Sequence, residues 1–209
     1  MTGRRAGRQT ARRRAPTRRL ALAAGVVLAG IAVAAVAVRP VRWAALQRGL
    51  DARAAVPWVT PDRLAAELAG DAPPLVLDVR PDPEFAVGHL PGARRVDPDA
   101  DGAALAAVLA EQHAGRRVVL YCSVGARSGS LGRRLRDAGL DGVRNLRGGV
   151  FRWAADGRPL RTAAGAPTRR VHPYNRLWGR YLPAANRAPL GGAEGAAAGR
   201  GGSPAGGAR

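Results

Sequence analysis

The chain has 209 residues, 46% of them apolar, with 34 basic residues, every one of them arginine, and a formal net charge of +19. That length suits one ordinary domain with appendages, and the apolar content is enough for a core. The charge does not describe a nucleic-acid binder: residues 1–19 carry eight arginines and no acid, whereas residues 51–160 balance fifteen arginines against fourteen acids, so the folded part is nearly neutral and offers no broad basic face.

After the basic leader (1–19), the run LALAAGVVLAGIAVAAVAV, Leu20 to Val38, has nineteen residues without a charge. A helix of that length spans roughly 28 Å, close to the thickness of a hydrocarbon core, so residues 20–38 are expected to form a transmembrane helix or uncleaved signal anchor, with lipid as a partner. A cleaved secretory signal is the alternative, since Ala35-Val36-Ala37 offers an A-x-A pattern, but the apolar core is longer than such signals use. The excess of arginine before the run predicts a cytoplasmic N-terminus and an extracytoplasmic domain. Residues 39–59 read as a linker whose Trp43 and Trp58 suit a headgroup zone.

From Thr60 the pattern alternates between helix and strand. Thr60-Pro61 predicts an N-cap and first helical position, with a stop at Gly70. LVLDV, Leu75 to Val79, predicts a buried strand ended by the polar turn Arg80-Pro81-Asp82-Pro83. Gly102 to His113 predicts a helix, RVVLY a second strand, RSGSLGRRLRDAG a helix, and GVRNL a third strand. Strands separated by helices predict a parallel α/β sheet covered on both faces.

The only cysteine, Cys122, follows the second strand directly in the stretch CSVGARS. Ligands of such sheets bind beyond the carboxyl ends of the strands. A loop of small residues can turn several N–H groups inward, and the next helix adds its positive end; both stabilise an anion such as a thiolate. Gly125 permits the tight path, Arg127 can fork onto an anion, and Ser128 can cap the helix. A lone cysteine is otherwise a small buried hydrophobe; these neighbours favour the reactive reading. Three scattered histidines beside one cysteine give no metal-ligand spacing, and no cofactor is expected.

Three pieces in this order resemble a single rhodanese domain over about Thr60 to Leu160: LVLDVRPDPEFAVGHLPGA, with Asp78, Arg80, Glu84, His89 and Gly92; VVLYCSVGARS; and VRNLRGGVFRWAADGRPL with its closing strand, its Gly-Gly turn and its tryptophan. The resemblance implies a rhodanese-like parallel sheet of about five strands flanked by helices. It implies a sulfurtransferase in which Cys122 takes a sulfane sulfur as a persulfide and passes it to a thiophilic acceptor. Catalytic roles fall to Cys122 and Arg127, and donor binding to Ser123, Val124, Gly125, Ala126, Ser128 and Arg80. Asp78, Arg80 and Glu84 are further expected to form one ion network, and His89 a hydrogen-bonding wall. Related cradles for phosphate or arsenate hold five residues between cysteine and arginine; this loop holds four, a ring better sized for sulfur.

The partners implied are a small sulfane-sulfur donor and a thiol or cyanide-like acceptor, which can be a protein thiol, because a lone cysteine has no internal disulfide partner. A catalytically silent binding or sensing module at the membrane is the alternative. Beyond the domain, residues 161–182 carry VHPYNRLWGRYL, expected to pack on the domain edge or to form an aromatic-basic clamp near the active-site face or the membrane surface. Residues 183–209 are expected to be disordered.

Overall fold

The apolar runs form the middle of a five-stranded sheet. The computed structural model describes residues 41–53, 56–112 and 115–190; the predicted membrane segment Leu20 to Val38, the basic leader, His113 and residues 191–209 lie outside these. Among the described residues no helix is long and apolar enough to cross a membrane. The chain divides into two units between Ala44 and Ala45, and the sheet belongs to the second.

Residues 41–51 are helical (α1). Trp58–Val59 (β1) is followed by Pro61–Leu68 (α2), Leu75–Asp78 (β2), Asp82–Val87 (α3), Arg94–Arg95 (β3), Gly102–Gln112 (α4), Val118–Tyr121 (β4), Ala126–Asp137 (α5), Val143–Leu146 (β5) and Gly149–Ala155 (α6). The sheet order is β1-β5-β4-β2-β3, with every pair parallel. Every residue of β2 and of β4 is buried, as strands covered on both faces require. Leu77, Leu120, Leu131, Leu135 and Val143 join the sheet to the helices in one core. The predicted cap of α2 is present: Thr60 Oγ1 accepts from the Arg63 N–H at 3.2 Å.

The structure adds detail at four places. The described part of the expected linker holds α1 and the edge strand β1, and the Trp58 ring packs against Gly125 of the cysteine loop. The turn after β2 continues into α3, because Pro81 caps it and proline suits a first helical turn. At and beyond the expected domain end, Leu160–Arg161 (β6) and Pro167–Thr168 (β7) pair antiparallel, and His89 and Arg161 exchange both backbone hydrogen bonds at 2.9 Å. The tail is built as far as residue 190, with a 3-10 turn at Ala184–Asn186 and Ala188 buried against the body.

Candidate active site

Strand β4 delivers Cys122 to the carboxyl edge of the sheet, and α5 starts four residues later. The loop between them closes on the sulfur: the Gly125 N–H donates to Cys122 Sγ at 3.2 Å. Gly125 is the N-cap of α5 with φ +110°, a conformation in which a side chain is strained. Its carbonyl accepts from Gly129 N–H at 3.1 Å, so the N–H groups of Ala126, Arg127 and Ser128 form the first turn and have no partner within the helix. Asn145 Nδ2 donates to the Gly125 carbonyl at 2.8 Å, and the Trp58 ring lies directly under Gly125. On the other side, the Val150 N–H donates to the Cys122 carbonyl at 2.9 Å and the Phe151 N–H to the Ser123 carbonyl at 3.1 Å. Sequence reasoning named the Gly-Gly turn but not this clamp, nor a place for Asn145 and Trp58 at the site; only the pairing of β1 with β5 and of β5 with β4 brings them under the loop.

Cys122 is only 1% exposed. Ser123, Val124 and Gly125 are buried with it, while Ala126 faces solvent and Arg127 is half-buried. Ser128 does not cap the helix as expected: it lies inside the first turn, and its buried Oγ has no hydrogen-bond partner among the described residues.

Arg127 makes a two-pronged pair with Glu84, Nη1 to Oε1 and Nη2 to Oε2, both at 2.9 Å. Nη2 also donates to Ser123 Oγ at 3.0 Å, and that hydroxyl donates to Glu84 Oε2 at 3.2 Å. Burial opposes the charge on Arg127, but the hydrogen bonds to Glu84 and the nearby Cys122 outweigh it and hold the guanidinium protonated more firmly than in free arginine. The fork expected to grip a donor is therefore already occupied by a carboxylate, and it braces the loop.

The expected single ion network is two. Glu84 belongs to Arg127, while Asp78 and Arg80 pair in the interior, both side chains fully buried, with Nη2 to Oδ2 at 2.6 Å. Arg80 Nη2 also donates to the Gly88 carbonyl at 2.8 Å, and its guanidinium lies 5.6 Å from the centre of the Tyr121 ring. Burial opposes its charge and Asp78 more than restores it. Arg80 as a donor-binding residue is thus corrected: it has no exposed surface. It anchors Gly88, while Tyr121 Oη accepts from the Leu90 N–H at 3.1 Å, so the segment carrying Glu84 is fixed from below. The His89 ring stacks on Phe85 at 3.7 Å, and its Nδ1–H donates to the Phe85 carbonyl at 3.1 Å. Burial holds His89 below the usual histidine range.

The chain after β7 reaches the same place. The Arg127 guanidinium lies 5.0 Å from the centre of the Tyr174 ring, and the Arg170 carbonyl packs against Gly88. Within VHPYNRLWGRYL, Val171 and Leu182 are buried, and the Tyr174 ring lies over the arginine of the loop. Among the described residues no group of three or more histidine, cysteine or acidic side chains is arranged to hold a metal ion.

A family model described as Rhodanese-like domain matches residues 60–156. A protein named Sulfurtransferase from Allochromatium vinosum is 33% identical over 99 residues, which cover 47% of this chain and 89% of that protein. Among solved structures, a rhodanese-like domain protein from Staphylococcus aureus is 28% identical, covering 46% of this chain and 90% of its own, with a TM-score of 0.40. A thiosulfate sulfurtransferase from Pseudomonas aeruginosa is 26% identical, covering 66% of this chain and 25% of its own, with a TM-score of 0.47.

Proposed function

This chain belongs to the rhodanese-like domain family, and on that premise we propose that it is a membrane-tethered sulfurtransferase carrying sulfur on Cys122. The observation that carries this reading is the Gly125 N–H bonded to Cys122 Sγ at 3.2 Å, at the head of α5. The loop N–H groups and the helix end favour negative charge on that sulfur, and Arg127, paired with Glu84, braces the loop that presents them.

The transfer has two balanced steps. The Cys122 thiolate attacks the outer sulfur of a sulfane donor; the donor's sulfur–sulfur bond breaks and its electron pair leaves with the donor remainder. Cys122 is then a persulfide whose terminal sulfur lies among the free first-turn amides of Ala126, Arg127 and Ser128. A thiol, cyanide or a partner protein's thiol attacks that sulfur, and the electron pair of the bond returns to Cys122 as thiolate. No base is needed once the thiolate is formed.

The test is mass spectrometry of full-length protein after exposure to a sulfane donor. One added sulfur atom on Cys122, released by cyanide as thiocyanate and absent in Cys122→Ser, is the expected result. A folded protein that gains no sulfur from several donors would leave the silent binding module, which the near-complete burial of Cys122 favours.

In this reading Leu20 to Val38 is the tether, supported by nineteen residues without a charge, and the domain lies outside the cytoplasm, supported by the arginine-rich leader. Added protease should digest the domain in intact spheroplasts. Protection would reverse the orientation, and recovery of a shortened soluble protein would remove the tether.

A further inference from the structure

The segment His172 to Asn175 lies beyond the residues that the family model matches, yet it is built with more constraint than a linker needs. Tyr174 has φ +64°, the only positive value at a residue other than glycine among the described residues, and a non-glycine residue keeps such a conformation only when its surroundings impose it. They do. The Tyr174 N–H donates to His172 Nδ1 at 3.1 Å, and the Asn175 N–H to the Pro173 carbonyl at 2.8 Å. Asn175 Oδ1 accepts from the Trp178 N–H at 2.9 Å. Val171 is tied to residues 186 and 188 by backbone hydrogen bonds of 2.8 and 3.0 Å. The product of this construction is one ring laid on Arg127, with 49% of Tyr174 still open to solvent.

The charges around the loop cancel. Arg127 is neutralised by Glu84 through two bonds, and Arg80 behind it by Asp78. Burial lowers the pKa of His172, so it is neutral at neutral pH. Ser123 and Val124 add no charge. A small dianion such as thiosulfate therefore meets no uncompensated cation at these residues, while an aromatic surface is held at the same spot.

We infer that Tyr174 forms an aromatic wall of the donor site and selects an organic sulfane-sulfur donor of low charge over thiosulfate. This rests on the sulfurtransferase reading. With a thiosulfonate, the Cys122 thiolate attacks the terminal sulfur, the bond from that sulfur to the sulfonyl sulfur breaks, and its electron pair departs with the sulfinate; no oxidant or reductant is consumed.

The matched probes are benzenethiosulfonate and thiosulfate, which transfer the same atom and differ in the aromatic group and one charge. Full-length wild type, Tyr174→Phe and Tyr174→Gly are compared by kcat/KM for each donor. Glycine suits φ +64°, so Tyr174→Gly keeps its thermal unfolding midpoint while losing the ring. The preference for benzenethiosulfonate should fall about fivefold in Tyr174→Gly, as expected for one lost aromatic contact, chiefly through KM, and should persist in Tyr174→Phe. An unchanged preference in Tyr174→Gly, with both donors still active, overturns the wall alone. Failure of both donors to add sulfur to wild-type Cys122 overturns the sulfurtransferase reading and this inference with it.

Discussion

Gly149 presses its backbone against the carbonyl of Cys122 so closely that a Cβ at position 149 would overlap that oxygen and lie 2.7 Å from the Ser123 carbonyl. The residue has φ +54°, so a side chain there is excluded by space and by conformation together. Gly149→Ala should cost about 2–4 kcal/mol of stability in urea unfolding. It should also lower sulfur transfer in the protein that remains folded, because the displaced backbone is that of the cysteine loop.

Arg127 and Glu84 act through geometry as well as charge. Lysine cannot reproduce two parallel bonds, so Arg127→Lys should reduce kcat/KM for sulfur transfer nearly as much as Arg127→Ala. Glu84→Gln should destabilise the fold by about 1–3 kcal/mol. In a double-mutant cycle on stability the two sites should couple by about 1 kcal/mol or more; additive effects would mean that the fork contributes only local packing.

The buried Asp78–Arg80 pair predicts an asymmetry. Arg80→Met leaves Asp78 without its partner in the interior and should cost about 3–5 kcal/mol, whereas Asp78→Leu with Arg80→Met together should cost clearly less. Chemical denaturation of the two variants measures this, and equal losses would contradict it.

Acid should weaken the protein at Glu67. Two bonds from Arg144, at 3.0 and 2.6 Å, outweigh the burial that opposes the charge, and with help from Arg63 and Arg117 they lower its pKa from 4.5 to about 2. The folded value lies below the unfolded one, so the stabilisation is complete above about pH 4.5 and is lost as the pH falls toward about 2. Discounted for screening by solvent, the shift is worth on the order of 1–2 kcal/mol. Glu67→Gln should flatten the stability profile across that window; a profile that keeps its slope would assign the acid sensitivity to other carboxylates.

Strands β2 and β4 were legible because four consecutive buried positions leave a largely apolar run that local composition displays, and the cysteine's place at the end of one of them followed from that run. The edge strands β1 and β3 were not legible, since two residues are too few for any period and their pairing depends on β5 and β2. The short helix α3 was hidden because Pro81 and Pro83, which read as a turn, also suit a helix start.

The site divides the same way. The sequence by itself determined the sulfur, the small residues that let a loop close on it, the glycines that a tight backbone requires, and the presence of an arginine four residues beyond Ser123. It could not determine where that arginine's fork is directed, because Glu84 is 43 residues away in the chain and meets Arg127 only after β2 and β4 pair. Nor could it separate Arg80 from Glu84, since a guanidinium sealed in the interior and a carboxylate buried beside the cysteine loop look alike in a string of charges. Tyr174 reaches Arg127 only because the hairpin β6–β7 turns the chain back over the sheet edge. Contacts between residues distant in sequence are selected by packing of the whole domain, and side-chain partnership is decided there.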